Sequence, residues 1–167
     1  MLTYDDVIKS EAIRTYIIRA DESLDVLGFT DHSFSHVVHV AQTAGYILEA
    51  LGFDARTVEL AKIAGYLHDI GNLVNRKEHS QSGAVMAWSI LNDMGCDPGE
   101  IATIVTAIGN HDEGTGVPVN PVAAALILAD KADVRRTRVR NKDIATFDIH
   151  DRVNYAVTDA DNHTTNK

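Results

Sequence analysis

The feature that most constrains the fold is a repeat of apolar residues at three- and four-residue intervals along most of the chain. This spacing places the apolar side chains on one face of an α-helix, whereas a half-buried strand requires strict alternation. Six segments carry the repeat, at residues 3–28, 35–52, 55–71, 79–95, 98–111 and 121–137. The sequence therefore predicts an all-α protein.

The ends of several predicted helices are marked by residues with a known capping role. Four segments end on a glycine, as a left-handed C-terminal cap requires, namely Gly28, Gly52, Gly71 and Gly95. Asp97-Pro98 and Asn120-Pro121 each offer a capping side chain followed by a first-turn proline. These two pairs fix the starts of the last two predicted helices.

Length and composition favour a single domain. The chain has 167 residues, of which 45% are hydrophobic and 23% charged, a composition typical of globular proteins. We expect one helical domain over residues 1–157. Residues 158–167 are polar and without periodicity, so they form either a mobile tail or the start of an element that is cut short.

The charge balance and the N-terminal sequence argue against several classes of protein. A net charge of -9 would repel a phosphate backbone, so we expect no nucleic-acid binding. The acidic N-terminus does not resemble a signal peptide, and no run reaches the ~18 apolar residues of a membrane span. A single cysteine excludes an internal disulfide. We expect a cytoplasmic protein that binds no membrane, and the sequence leaves homo-oligomerisation open.

Six polar residues break the apolar pattern on the sides of the helices that face inward. His36, for example, lies on the same helical stripe as Val40 and Ala44. Comparison with apolar residues one or two turns away places four more side chains on the inward faces of their helices. Asp69 follows one of these, His68, and lies about 100° further around the same helix. The six residues are His36, His68, Asp69, His79, His111 and Asp130.

These residue types in this number indicate a metal site. An unpaired carboxylate on a buried face costs several kcal/mol, and for Asp130 alone an ion pair with Lys62, Arg135 or a protonated histidine would be the simplest partner. Four histidines and two aspartates exceed the four ligands of a closed zinc site. They fit two divalent transition-metal ions, drawn from Fe, Mn, Ni, Co or Zn. Asp69, next to His68, has two oxygens that can each face a different ion.

Two such ions imply a hydrolytic mechanism. Two divalent cations less two carboxylates leave a local charge of about +2, which attracts an anion despite the acidic remainder of the chain. A water between the ions would become a hydroxide nucleophile near neutral pH, and the ions would offset charge on a phosphoryl group. Asp69 and His68 are the predicted catalytic residues.

Basic residues that follow Asp130 are candidates for substrate binding. Lys131, Arg135 and Arg138 form a stripe on the predicted sixth helix, turned away from Asp130. Lys131 and Arg135 would capture a phosphate at the rim of the site, or they would form a solvated basic helix end. His39, one turn after His36, would contact substrate, support a ligand or be exposed.

The order of these residues resembles a known signature. His36, the His68-Asp69 pair and Asp130 resemble the H…HD…D motif of the HD-domain metal-dependent phosphohydrolase superfamily. His79 and His111 match the two further histidines of its binuclear members, and the similarity covers roughly residues 30–136.

The resemblance implies a fold and a division of the ligands. It implies an all-helical bundle with a five-helix core, and the sequence leaves open a small non-helical C-terminal extension. It further implies that His36, His68, Asp69 and Asp130 hold one ion and that Asp69, His79 and His111 hold the other.

Departures from the family pattern limit the choice of substrate. Asn72 stands where many relatives have lysine, and the glycine-rich stretch after His111 lacks the features of cyclic-di-GMP phosphodiesterases of the HD-GYP group. The ligand set also resembles bacterial dinucleoside tetraphosphate hydrolases and diiron oxygenases of the myo-inositol oxygenase kind. We expect a phosphohydrolase acting on a small phosphorylated substrate such as a nucleotide. The alternatives are a diiron oxygenase and a non-catalytic sensing module, and the latter would be expected to lack some ligands.

Overall fold

The computed structural model describes residues 1–158, which form eight α-helices and no β-strand. The helices are α1 (Tyr4–Lys9), α2 (Glu11–Val26), α3 (Phe34–Ala50), α4 (Ala55–Leu67), α5 (His79–Asp93), α6 (Pro98–Gly109), α7 (Pro121–Ala132) and α8 (Ile149–Ala156). Short 3-10 helices cover Ile70–Leu73, Arg136–Arg138 and Ile144–Thr146. The prediction of an all-α fold is confirmed.

Most of the predicted caps are present. The Asp97 side chain accepts hydrogen bonds from the first backbone amides of α6, and Asn120 does the same for α7. Gly28, Gly52 and Gly95 follow α2, α3 and α5 with φ of +80°, +80° and +74°. Only glycine adopts this left-handed conformation without strain, so these residues end their helices as predicted.

Two predicted features of the helix boundaries are wrong. The first segment is two helices rather than one, because the chain turns at Ser10, whose side chain caps α2. Gly71 is not a left-handed cap but lies within the 3-10 helix Ile70–Leu73. A Cβ at Gly71 would clash with the backbone at His79 and Gly83. Glycine is therefore required there because the 3-10 helix packs directly on α5.

The sixth predicted segment is shorter than its apolar pattern indicates. α7 ends before Asp133, and the groups that follow are bonded to tertiary partners: Arg138 donates to the Asp133 carbonyl at 2.6 Å, and the Arg135 amide donates to Asn154 Oδ1 at 2.9 Å. These contacts take the place of helical hydrogen bonds. The predicted helical stripe from Lys131 through Arg135 to Arg138 is therefore wrong.

The chain after α7 contains one more α-helix, which lies within the residues 1–157 that the sequence assigns to the helical domain. α8 begins with a capping box in which Asp148 and Asp151 each bond the other's backbone amide. The predicted polar tail lies outside the described residues except for Thr158. Within the described chain, no helix has the length and apolar character needed to cross a membrane.

The apolar core lies between α3, α4, α5, α6 and α7. α3 packs against α4 and α7, α4 also contacts α6 and α7, and α5 packs on α6. Fully buried side chains such as Val40, Ile63 and Leu126 fill the centre. α3 and α5 start at the same end of the bundle at which α4, α6 and α7 finish. The six polar residues singled out above all lie at that end.

Candidate metal centre

The structure brings all six predicted ligands together. They lie at helix ends, where a side chain can point along the bundle into a common space without displacing the apolar core. His36 is in the first turn of α3, His79 begins α5 and Asp130 is in the last turn of α7, while His68, Asp69 and His111 directly follow α4 and α6. Five are buried, with exposed fractions of 0% for His36 and His68, 2% for His79 and His111, and 6% for Asp69.

The start of α5 is held in an unusual backbone conformation. Glu78, the residue before His79, has φ 58°, in the left-handed region that costs a non-glycine residue about 1–2 kcal/mol. This geometry turns the chain so that His79 begins the helix on its inward side. Backbone strain of this kind is common at functional sites.

Each of the four imidazoles has its Nδ1 atom engaged with a hydrogen-bond acceptor. The contacts are His36 Nδ1 to Asp133 Oδ2 (2.7 Å), His68 Nδ1 to the Gly65 carbonyl (2.8 Å), His79 Nδ1 to the Arg76 carbonyl (3.1 Å) and His111 Nδ1 to the Ile108 carbonyl (2.6 Å). Because carbonyl and carboxylate oxygens only accept, Nδ1 carries the proton in each ring. In a neutral ring Nε2 then presents a lone pair.

These lone pairs face one another. His36 Nε2 lies 3.3 Å from His68 Nε2, and His79 Nε2 lies 3.2 Å from His111 Nε2. Two lone pairs at this distance repel unless a proton or a metal cation lies between them. The arrangement presents pairs of nitrogen donors to common points, and the residues fit the ions that the resemblance implies.

Asp69 lies between the two histidine pairs. Its Oδ2 atom is 3.5 Å from His36 Nε2 and 3.3 Å from His68 Nε2, while its Oδ1 atom is 3.4 Å from His79 Nε2 and 4.0 Å from His111 Nε2. Oδ2 is buried and has no hydrogen-bond partner among residues 1–158. An ionised oxygen in this position requires positive charge close by, from protonated histidines or from a bound cation.

Asp130 completes one side of the cluster. Its Oδ1 atom lies 3.3 Å from His36 Nε2 and 3.6 Å from His68 Nε2. The cluster thus divides into two parts that share Asp69. We call His36, His68, Asp130 and Asp69 Oδ2 the first half-site, and His79, His111 and Asp69 Oδ1 the second half-site.

Charge is distributed unevenly between the half-sites. Burial opposes protonation of His36, but hydrogen bonds to Asp130, Asp133 and Asp69 outweigh it and raise the pKa of His36 to about 9. Burial is outweighed in the same way at His68, where the charges of Asp69 and Asp130 raise the pKa to about 10. Burial would raise the pKa of both aspartates, but the histidines around them hold it well below the usual range.

The second half-site shows the opposite behaviour. Burial, together with the positive charge of His68, lowers the pKa of His111 to about 4. Burial also lowers the pKa of His79, and the attraction of Asp69 does not compensate. The second pair of imidazoles is therefore neutral at physiological pH.

A cavity of about 430 Å³ opens beside the cluster. Asp69, His79, His111 and Asp130 form its floor, and His36 and His68 lie behind them. Its walls carry three cationic side chains, several acids and a few apolar groups, and α8 closes one side. The charged and apolar wall residues are Arg76, Lys131, Arg138, Asp112, Glu113, Asp148, Phe29, Ile149 and Val153.

Of the three residues predicted to bind substrate, one lines the cavity and two lie outside it. Lys131 lines the cavity, with Nζ 2.9 Å from Asp130 Oδ2. Arg135 lies outside it and bonds Asp133 and the Ser35 hydroxyl instead. His39 also lies outside, with its Nε2 3.9 Å from Asp133. Because α7 ends early, Arg135 is turned to the far side of Asp133, and the cavity gives no support to substrate contacts by Arg135 or His39.

Sequence reasoning did not identify Arg76, which precedes α5 and lines the cavity. Its Nη1 atom is 3.3 Å from Asn72 Oδ1 and 3.9 Å from Asp69 Oδ1, and its guanidinium lies 5.6 Å from the centre of the Phe29 ring. The one signal in the sequence is Asn72 itself. A neutral residue where many relatives carry lysine could have prompted a search for another cation nearby.

Comparison with known proteins agrees with this geometry. A family model for the HD domain matches residues 33–152, so the chain belongs to the HD-domain family. A crystal structure of a predicted HD superfamily hydrolase from an uncultured Thermotogales bacterium superimposes with a TM-score of 0.57 at 28% identity, covering 74% of this chain and 67% of that one. The resemblance to HD superfamily hydrolases, and with it the expected HD fold, is confirmed.

The curated relatives are longer proteins, of which this chain matches only a part. Ribonuclease Y of Fervidobacterium nodosum is 33% identical over 116 residues, which is 68% of this chain but 20% of that protein. An uncharacterized protein of Methanocaldococcus jannaschii is 27% identical over 162 residues, covering 83% of this chain and 62% of the relative. The chain thus spans about a fifth of the ribonuclease and under two thirds of the second relative.

Proposed function

We propose that this protein is a metal-dependent phosphohydrolase that binds two divalent transition-metal ions and cleaves a small phosphate ester or anhydride, such as a nucleotide. The observation that carries the proposal is the convergence of four imidazole Nε2 atoms on the two oxygens of Asp69, directly beside a cavity whose walls include three cationic side chains. Nitrogen and oxygen donors of this kind suit Fe, Mn, Ni, Co or Zn.

The two half-sites provide the ligand sets. His36, His68 and Asp130 would hold the first ion, His79 and His111 would hold the second, and Asp69 would bridge them. Ligand atoms of His36, His68 and Asp130 in the first half-site lie within 4.8 Å of one another, and those of His68, Asp69 and His111, which span both half-sites, do so too. Ions held here supply Lewis-acid chemistry, which activates water and offsets phosphoryl charge.

The chain's own residues orient the centre and attract the substrate. Asp69 presents one oxygen to each half-site, and the bond from His68 Nδ1 to the Gly65 carbonyl directs His68 Nε2 toward one of these oxygens. Lys131 and Arg76 present their cationic groups to the cavity and would bind phosphate oxygens. The cavity volume of about 430 Å³ falls within the range of about 300–1,000 Å³ for small-molecule sites.

The net charge of -9 and the mixed acids in the cavity wall favour a small substrate over a polynucleotide. The similarity to ribonuclease Y covers a fifth of that enzyme. We therefore do not propose RNA as the substrate, but a short RNA is included among the compounds tested for hydrolysis.

The test combines metal analysis of freshly purified protein with a hydrolysis panel, run with oxygen and under argon. The panel contains nucleotides, dinucleoside polyphosphates, cyclic dinucleotides, a generic phosphodiester and a short RNA. We expect bound transition metal and oxygen-independent release of phosphate or a nucleotide product. Iron with substrate-dependent oxygen uptake would favour a diiron oxygenase instead, and a metal-loaded protein inactive on the whole panel would point to a sensing module.

A further inference from the structure

His32, in the segment before α3, is a largely buried histidine that does not belong to the six predicted ligands. Its side chain is 10% exposed and lines the cavity. Its ring packs edge-on against that of His36, with ring centres 5.4 Å apart. A histidine in this position is within reach of the first half-site.

The hydrogen bonding of His32 repeats the pattern of the predicted ligands. Its Nδ1 atom lies 2.6 Å from the Thr30 carbonyl, so Nδ1 carries the proton and Nε2 presents a lone pair. His32 Nε2 is 3.8 Å from Asp69 Oδ2, the oxygen that His36 Nε2 and His68 Nε2 approach at 3.5 and 3.3 Å. Three imidazole Nε2 atoms therefore surround one carboxylate oxygen.

The turn that carries His32 is held firmly by the C-terminal segment. The His32 amide donates to Asp21 Oδ1 at 3.0 Å, and Arg140 donates to Asp21 at 2.7 Å and to Asp31 at 3.1 Å. The Arg138 side chain donates to the Asp31 carbonyl at 3.0 Å, and the Arg138 carbonyl accepts a hydrogen bond from the Asp31 amide at 2.9 Å. The position of the imidazole is therefore set by the fold, and little further ordering is needed when it binds a ligand.

A purely structural role for His32 explains this arrangement less well. Packing and the bond to Thr30 would hold the ring, but they leave two acceptors, His32 Nε2 and the buried Asp69 Oδ2, facing each other. Their separation of 3.8 Å is too long for a direct hydrogen bond. A cation that binds both atoms accounts for the facing acceptors and for the distance.

We propose that His32 is a further protein ligand of the first ion. The first half-site would then bind through three imidazoles and two carboxylates, whereas the second half-site offers two imidazoles and one carboxylate oxygen. The ion with fewer protein ligands is therefore the one left to bind substrate. The inference rests on the metal centre of the proposed function and is independent of hydrolytic activity.

Paramagnetic NMR of the Co(II)-loaded protein tests this directly. Each Co(II)-bound imidazole with a protonated Nδ1 gives a strongly shifted proton signal that disappears in D₂O. We expect five such signals, from His32, His36, His68, His79 and His111. Four signals would overturn the role of His32 and leave the metal centre intact, whereas a complete absence of shifted signals would overturn the metal centre and the proposed function with it.

Substitution provides an independent measurement, with His150 as a matched control because it also lines the cavity but projects from α8. We expect His32→Ala to lose one shifted signal and to weaken Co(II) binding at the first half-site by at least about 10-fold. Added imidazole should enter through the cavity and restore the signal. His150→Ala should retain every signal. If His32→Ala kept the wild-type spectrum, the proposal would be overturned, and if it failed to fold, the wild-type signal count would still decide.

Discussion

The two half-sites use the same imidazole groups but place them in different surroundings. In the first, His36 donates its Nδ1 proton to the buried carboxylate of Asp133, and neighbouring carboxylates raise the pKa of His36 and His68. In the second, His79 and His111 donate to backbone carbonyls, and burial lowers their pKa. The surroundings, rather than the ligand type, decide which imidazoles carry protons in the absence of metal.

The half-sites also differ in their access to substrate. His36 and His68 are fully buried behind Asp69, while His79 and His111 lie on the cavity floor. Asp133, which orients His36, is itself fixed by Arg135. We therefore interpret the first half-site as the one that holds its ion firmly and the second as the one that presents its ion to substrate.

The largest effect is expected where the half-sites meet. Asp69→Asn keeps the size of the side chain but removes the charge that both ions share, so we expect loss of metal from both half-sites and activity at background. Elemental analysis and the hydrolysis panel measure the two quantities. Full metal occupancy in this variant would contradict the bridging role of Asp69.

The next largest effect is expected in the pH dependence of metal affinity, which should differ between the two half-sites. The pKa values of about 9 and 10 at His36 and His68 mean that a first ion must displace protons at neutral pH. Affinity for it should fall about tenfold per pH unit for each displaced proton as the pH is lowered from about 9 to 6. The affinity for the second ion should change little above pH ~6.5, because the pKa of His111 is already about 4 and His111 is therefore neutral in this range.

Chelator competition with Mn(II) at several pH values gives both affinities. Calorimetry in buffers of different ionisation enthalpy counts the released protons independently. An identical pH dependence at the two half-sites would show that the difference in their surroundings has no consequence for metal binding.

A smaller and one-sided effect is expected from Asp133→Asn. The change removes the negative charge that holds the His36 Nδ1 proton, and loss of such a supporting carboxylate typically weakens metal binding by about 10–100-fold. We expect the loss at the first ion alone, so that the second serves as an internal reference. Arg135→Gln, which leaves the contact between His36 and Asp133 in place, measures how much of the loss comes from the arginine pair. Equal losses at both ions would contradict the assignment.

An effect of similar size is expected on substrate capture, but in KM rather than in metal affinity. Arg76→Gln removes a cation from the cavity wall, and a lost charge-assisted hydrogen bond of about 1.5–3 kcal/mol corresponds to a rise in KM of about 10- to 100-fold. Steady-state kinetics on a responsive phosphate substrate measures it. Arg19→Gln, at an exposed position paired with Glu22, is the control and should leave KM unchanged. An unchanged KM in Arg76→Gln would remove Arg76 from substrate binding.

The predicted ligands could be found from the sequence because they continue helical stripes. His36, His79 and Asp130 lie within helices, and His68 and His111 follow them directly, so the 3.6-residue period still places their side chains. The HD signature added the order of the ligands. Capping residues predicted most of the helix ends, because a cap depends only on residues that are close together in the sequence.

What the sequence did not predict depends on contacts between distant segments. The end of α7 is set by Asn154 and Arg138, which bond backbone groups that a longer helix would have used. That early end displaced Arg135 from the predicted stripe. Arg76 and His32 lie in connecting segments, where no periodicity indicates the direction of a side chain. A local pattern cannot reveal positions that are fixed by tertiary contacts.

The most direct test of the central claim is anomalous X-ray scattering from crystals of the Mn(II)-loaded protein. We expect two peaks, one among His36, His68 and Asp130 and the other between His79 and His111, with Asp69 contacting both. The absence of anomalous density at both half-sites in a protein saturated with Mn(II), or peaks confined to the surface, would contradict the account of a two-metal centre.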